Sequence, residues 1–317
     1  MYKAFYGLKR SPFEISPDPY FLFPTARHNE ALASIYYGVC RRKGFLVMTG
    51  EVGTGKTLLV RCLLEFLSRQ QVAFANVFNP RLSPAEFLRY IVTDLGLKPE
   101  DHSKGTLILE LNNYLIARYR KGQATALIVD EAHLLSAELL EEVRLLSNLE
   151  TAEQKLLQIL LVGQPELEQT LDLPELRQLK QRIALRCRLA PLGVEETHGY
   201  IVRRLKLAGA DGRAESIFSQ AAIAAVHQCS RGIPRLINTL CENALIAGYA
   251  RKLEAVSPEI VQEISSEFRL SSTTAAATGA PIPPAEKNER QLMLQAVVNL
   301  IDYLKKTEVE KPEKVGS

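Results

Sequence analysis

The chain has 317 residues, 46% of them hydrophobic and 24% charged, so it can hold more than one domain and bury a sizeable core, and a mainly disordered state is excluded. The formal net charge of +3 is too small to imply a nucleic-acid partner by itself, so any basic patch must be local. Five cysteines at 40, 62, 187, 229 and 241, an odd number with no Cys-x-x-Cys pair, argue against a disulfide framework and a zinc site and predict buried or partly buried thiols in a reducing compartment.

Residues 1–25 are rich in prolines (12, 17, 19 and 24) and aromatics, which predicts an irregular strap lying across a folded body. The N-terminus lacks the apolar core of a signal peptide, and no stretch of 18 apolar residues occurs anywhere, so a cytoplasmic location is expected. A helix is predicted over about 28–42, followed by a short apolar strand, FLVMTG, at 45–50. Next comes Gly50-Glu51-Val52-Gly53-Thr54-Gly55-Lys56-Thr57, which fits G-x-x-x-x-G-K-[ST], and then LLVRCLLEFL, from Leu58, at helical spacing. VAFANVF (72–78) reads as a second strand. Ser83, Pro84 and Glu86 supply an N-cap, a first-turn proline and an early acid for another helix.

A helix over roughly 106–120 precedes ALIVDEAH (126–133), a buried strand ending in acid, and LLQILLVGQ (156–164) repeats that form. A last strand is expected near 184–192. Strands alternating with helices predict a parallel sheet covered on both faces, with its site at the carboxyl edge. From Val194 only helices follow, at 195–208, 215–228, 234–250 and 258–268, and in the third Leu236, Ile237, Leu240, Ala244 and Leu245 form an apolar stripe. A Ser/Thr/Ala/Pro tract over 271–288 reads as a flexible linker, and 289–317 as an amphipathic helix and tail carrying Met293, Val297, Leu300 and Leu304.

The chemistry is carried by these strand ends. The glycines of the 50–57 pattern let backbone N–H groups face phosphate oxygens, and the following helix N-terminus adds partial positive charge. Lys56 is positioned for the β- and γ-phosphates of ATP, and Thr57 offers a hydroxyl to Mg²⁺. Asp130 is expected to hold the Mg²⁺ shell and Glu131 to polarise the attacking water. His133 completes a DEAH string, but the all-helical remainder leaves no second motor domain, so it reads as a helix-start residue. Gln164, after the fourth strand, is placed to touch γ-phosphate and water. Arg182 is the candidate for an arginine that reaches a neighbouring subunit's nucleotide, with Arg186 and Arg188 as rivals. Arg235, opening a lid helix, is a candidate to reach back to the γ-phosphate.

Together the strings YKAFYGLKRSPFEISPDPYFLF, GEVGTGKT, IVDEAHLL, LLVGQPEL, QRIALR and SRGIPRLIN resemble the general secretion pathway protein A (ExeA-type) branch of the AAA+ ATPases, over residues 1 to about 270. The resemblance implies an α/β P-loop core with a five-stranded parallel sheet in the order 5-1-4-3-2, followed by a small helical lid. It also implies Lys56 and Thr57 in Walker A, Asp130 and Glu131 in Walker B, Gln164 as sensor 1, Arg182 as arginine finger and Arg235 as sensor 2. The expected organisation is a strap (1–25) near the adenine, a core (26–193) and a lid (194–270). Long members of that branch continue through a membrane span into a peptidoglycan-binding region. The residues after 270 match neither, so a short form is expected.

The function expected from this is ATP-driven assembly of a bacterial envelope system such as secretion, pilus or exopolysaccharide export. It would act as a nucleotide-dependent oligomer with an inner-membrane or envelope-assembly protein partner, peripheral to the membrane. The alternatives are a DNA-binding regulator of the transposition type and a nucleotide switch without turnover. Basic clusters at Lys9–Arg10, Arg41–Lys43 and Arg203–Lys206 favour DNA, whereas the six basic and six acidic residues of 286–317 do not.

Overall fold

The computed structural model describes residues 1–270 apart from 79, 100–102 and 211. The linker and C-terminal helix expected over 271–288 and 289–317 lie outside the described residues. In chain order the elements are α1 (Tyr2–Phe5), a 3-10 turn at Pro19–Phe21, α2 (Ala26–Cys40), β1 (Phe45–Gly50), α3 (Lys56–Arg69), β2 (Ala73–Val77), α4 (Pro84–Asp94) and α5 (Lys104–Arg120). Then come β3 (Thr125–Val129), a 3-10 turn at Ala132–Leu134, α6 (Ala137–Leu146), β4 (Leu157–Gly163), α7 (Glu166–Leu171), a 3-10 turn at Pro174–Leu176, α8 (Arg177–Lys180) and β5 (Ile183–Leu189). Four helices follow: α9 (Val194–Leu207), α10 (Gln220–Ser230), α11 (Pro234–Ala250) and α12 (Pro258–Glu267). Among the described residues two compact units result, one of Ala26–Glu51 and Leu59–Leu189, the other of Met1–Thr25, Val52–Leu58 and residues 190–270.

The first unit holds a five-stranded sheet in the order β2-β3-β4-β1-β5, all pairs parallel, which is the order expected from the resemblance. Every residue of β1, β3 and β4 is buried, because helices cover both faces of a parallel sheet's centre. On the edge strand β5 burial alternates instead, with Arg186 and Arg188 exposed and Cys187 and Leu189 buried. Gln158 is the polar exception inside β4, and it is satisfied: its Oε1 accepts from the Gly44 N–H at 2.8 Å and its Nε2 donates to the Lys155 carbonyl at 2.9 Å. Helix α4 begins as its sequence predicts. Pro84 sits in the first turn, Ser83 Oγ accepts from Glu86 N, and Glu86 Oε2 accepts from Ser83 N.

The second unit is a helical bundle bound up with the N-terminal strap. Tyr6 and Phe13 are fully buried in its core, beside Ile201, Phe218, Ile237 and Leu240. The Tyr6 hydroxyl donates to the Leu253 carbonyl at 3.0 Å, the Tyr20 hydroxyl donates to the Leu207 carbonyl at 3.2 Å, and Phe23 meets Tyr200 edge to face. Arg204 is 4% exposed, with its guanidinium 4.7 Å from the Phe21 ring centroid and 5.2 Å from that of Tyr200. Burial pulls its pKa down, and the two ring faces supply part of the stabilisation that water would have given the charge. The strap is therefore core material for this unit.

One helix boundary departs from the sequence expectation. The helix expected over 215–228 starts at Gln220, because Ile217 and Phe218 are drawn into an extended pairing with Val256 and Ser219 caps the helix by accepting from Ala222 N at 3.1 Å. The five thiols are unpaired, as expected, with Cys62, Cys187 and Cys241 buried, but Cys40, at the end of α2, is exposed.

Gly232 joins α10 to α11 with φ +72°, and a Cβ there would lie 2.0 Å from the Leu192 carbonyl oxygen. Gly232→Ala is expected to lower stability by at least about 2 kcal/mol, since left-handed backbone alone costs ~1–2 kcal/mol and Leu192 must also move. Urea unfolding checks this, and an unchanged midpoint contradicts it.

Candidate functional site

The parallel pairing brings three chain segments to one edge of the sheet. Thr49 is in register with Gly163, and Val47 with Leu161, which is itself in register with Val129. Consequently Gly50 at the end of β1, Asp130 and Glu131 after β3, and Gln164 after β4 all lie at the carboxyl edge. This is where a doubly wound sheet holds its ligands.

From Gly50 the chain turns through residues 51–55 and enters α3 at Lys56. The turn is made possible by Gly53 at φ +82° and Gly55 at φ +99°. Gly53 answers a second demand as well. Its carbonyl accepts from the backbone N–H of Arg235 at 3.2 Å, and a Cβ on it would lie 2.7 Å from the Arg235 Cβ. The start of α11 is thus bonded to the turn, while the Arg235 side chain is exposed. Thr54 and Lys56 are buried, whereas Glu51 and Val52 are exposed and Thr57 and Leu58 are half-buried. A turn of this kind, opening a 14-residue helix, presents N–H groups that the helix's own carbonyls cannot satisfy, together with the positive end of its dipole.

After β3, Asp130 is 6% exposed, and its Oδ1 accepts from the Glu131 N–H at 2.9 Å. Glu131 itself has φ +51° and ψ +35°, left-handed backbone that costs a non-glycine residue ~1–2 kcal/mol. That conformation turns the chain sharply, leaving Asp130 buried while the Glu131 side chain remains 42% exposed. Two adjacent carboxylates are thereby given different environments. Among the described residues no group of three or more His, Cys, Asp and Glu converges on a metal position.

His133 is not the opening residue of a long helix. It is the middle of the three-residue 3-10 turn Ala132–Leu134, and its ring lies between Glu131 and Gln164. The sequence marks it as the end of a DEAH string, where it reads as a helix-start residue, and nothing in that string records its approach to Gln164.

The three arginines differ in setting. Arg182 is half-buried just before β5, and its Nη1 donates to Ser147 Oγ at 3.0 Å. Arg186 pairs with Glu168, whose other oxygen lies 3.4 Å from Thr49 Oγ1. Arg188 is exposed on the same face of β5 as Arg186.

The basic clusters of the sequence are partly consumed by packing. Arg42 donates to the Gln123 carbonyl at 2.9 Å and stacks 4.7 Å from the Tyr119 ring, Arg204 is buried, and Arg10 lies over Tyr20. Among the described residues no helix is long and apolar enough to cross a membrane.

Residues 40–171 match the AAA domain family. The chain is 45% identical over 253 residues to the general secretion pathway protein A of Aeromonas hydrophila, a match covering 79% of this chain and 45% of that protein. It is 39% identical over 98 residues to the Mu-like prophage FluMu DNA transposition protein B of Haemophilus influenzae (strain ATCC 51907 / DSM 11121 / KW20 / Rd), covering 31% of each. The chain therefore spans less than half the length of either relative. Among solved structures, Cdc6p from Pyrobaculum aerophilum superposes with a TM-score of 0.62 at 18% identity, over 82% of this chain and 71% of that one, a likeness of fold. The glycine turn after β1, the acidic pair after β3 and the 5-1-4-3-2 sheet accompany the AAA domain matched over residues 40–171, and over 253 residues the chain is similar to the general secretion pathway protein A.

Proposed function

We propose that this protein is a Mg²⁺-dependent ATPase that powers or switches the assembly of a bacterial envelope system, such as secretion, pilus or exopolysaccharide export. It would work as a nucleotide-driven oligomer on the cytoplasmic side of the inner membrane, held there by an envelope-assembly protein. The observation that carries this reading is the 45% identity over 253 residues to a secretion-pathway protein. In it, residues 26–193 form the nucleotide-binding core, 194–270 the lid and 1–25 a strap beside the adenine.

The residues fit ATP and Mg²⁺. The two positive-φ glycines form the cradle, and Mg²⁺ bound with a nucleotide is held mainly by phosphates and water, with one or two protein ligands. Thr57 and Asp130 would be its protein ligands, and the ion would neutralise charge developing on the β- and γ-phosphates. Lys56 holds those phosphates, assisted by the N–H groups from Gly50 to Leu58. Glu131 orients and polarises the attacking water, Gln164 contacts water and γ-phosphate, and Arg235 reports the γ-phosphate to the lid. Arg182 acts across a subunit boundary.

That last role predicts nucleotide-driven assembly, because a finger arginine meets no phosphate within its own subunit. Light scattering of Glu131→Gln is expected to give a larger species with Mg-ATP than without, and a monomer under both conditions refutes it. The match to a DNA transposition protein supports a second reading, a DNA-binding regulator. Its mark would be duplex binding that falls steeply with salt. The packing of Arg42 and Arg204 into the protein weighs against it, since those side chains are spent on Tyr119 and Phe21. Nucleotide-dependent capture of an inner-membrane protein would favour the envelope reading.

A further inference from the structure

His133 lies within reach of both of the residues assigned above to the attacking water. Its Nε2 is 2.8 Å from Nε2 of Gln164, and its Nδ1 is 3.4 Å from Oε2 of Glu131 and 3.5 Å from the backbone N of Gln164. The ring is only 12% exposed, and its turn is held close to the end of β4, where a Cβ on Gly163 would sit 3.2 Å from the His133 backbone N.

A neutral imidazole has one donor and one acceptor nitrogen, so these neighbours cannot all be served at once. With the proton on Nδ1, His133 donates to Glu131, and Nε2 accepts from the Gln164 side-chain amide N–H. The amide oxygen of Gln164 then faces outward. With the proton on Nε2, the Gln164 amide turns over so that its oxygen accepts from His133. Nδ1 now accepts from the Gln164 backbone N–H, and Glu131 is left without this donor. The NH₂ of Gln164 then faces outward, which is the end that a phosphate oxygen requires. Tautomer, amide orientation and the tether on Glu131 therefore change together.

We propose that His133 is a positioning residue that couples Glu131 to Gln164 through its tautomer, and that the Nε2–H state is the one competent for hydrolysis. The Nδ1–H state is the resting one, with Glu131 held and the wrong end of Gln164 presented. The proposal rests on the roles given above to Glu131 and Gln164. It makes His133 neither a base nor a ligand.

Nitrogen-15 spectra of histidine-labelled protein test it directly, with His133→Ala identifying its resonances among the five histidines. Without nucleotide the proton is expected on Nδ1, and with Mg²⁺ and a non-hydrolysable ATP analogue on Nε2. The same protonated nitrogen in both states, or an imidazolium in both, overturns the proposal.

Kinetics supply a second test. His133→Ala is expected to lose on the order of 10-fold to 100-fold in kcat, the scale of a misplaced reacting group, with ATP affinity and melting temperature close to the parent's. His133→Gln, whose amide reaches the Nε2 position, is expected to recover part of the loss. The His133→Ala, Gln164→Ala double variant is expected to be no slower than the worse single variant. Multiplying losses, or no rescue by glutamine, overturn the coupling. A normal His133→Ala beside a crippled Gln164→Ala sinks this proposal alone, whereas a normal Gln164→Ala sinks the assignment of the site and the proposal with it.

Discussion

Lys56→Ala is expected to abolish ATP binding, whereas Glu131→Gln is expected to bind ATP as the parent does and to stop turning it over. The two residues differ in when they act. Lys56 is buried at the start of α3, directly after the glycine turn, and its charge would meet the phosphates in the ground state. Removing it leaves a triphosphate with no counter-charge from that side chain. Glu131 follows the buried Asp130 on a left-handed residue that leaves its carboxylate partly exposed, and water is what it would meet. Glutamine keeps its shape and loses its charge. The expected loss is about 10²–10⁴ in kcat, the usual contribution of a positioned acid–base group. Fluorescent-nucleotide titration and phosphate release measure the two halves separately. Equal affinity in Lys56→Ala and parent would mean that the site has been placed wrongly.

Arg182→Ala is expected to retain ATP binding and to lose hydrolysis by a factor on the order of 10³ or more, as when other arginine fingers are removed. In the single chain Arg182 is bonded to Ser147 Oγ at 3.0 Å. A single bond between a charged guanidinium and a hydroxyl contributes about 1.5–3 kcal/mol net, and a triphosphate offers that guanidinium several charged oxygens instead. Ser147→Ala should therefore leave activity near the parent level. Mixing tests the geometry. An Arg182→Ala subunit keeps its own P-loop and a Lys56→Ala subunit keeps its arginine, so mixed assemblies should regain part of the activity that each lacks alone. If Arg182→Ala is normal and Arg186→Ala or Arg188→Ala is not, the acting arginine stands on β5 itself. Arg188, exposed on that strand, is then the stronger rival, because Arg186 is already paired with Glu168. If none of the three matters, the trans-acting arginine is wrong in kind and a switch without turnover gains ground.

Strands β1, β3 and β4 were legible in the sequence because each is a short apolar run ending in glycine or leading into acid, and burial on both faces of a parallel sheet selects for such runs, whereas β2 and the arginine-bearing β5 stand at the edges and are only partly buried. The start of α4 was legible too, since Ser83, Pro84 and Glu86 settle it within four residues. So were Gly50–Thr57, Asp130–Glu131 and Gln164, because their places follow from which strand each one ends. Helices α6, α7 and α8 were not read. Helices α7 and α8 have only six and four residues, too few to show a period, and α6 follows the 3-10 turn after β3 in a run of leucines.

What the sequence determined by itself is therefore everything set by local spacing: strand, turn and cap identities, and the presence of a phosphate-cradling turn before a helix. Tertiary structure decided the rest. It turned Ile217 and Phe218 away from a helix to pair with Val256, made the strap part of the helical core through Tyr6 and Phe13, and buried Arg204 between Phe21 and Tyr200. It also brought His133 to Gln164, 31 positions away, and left Arg182 with Ser147, 35 away. These are pairings of single side chains across long loops of chain. Their partners are fixed by how strands register and helices pack, and no periodicity along the chain records them.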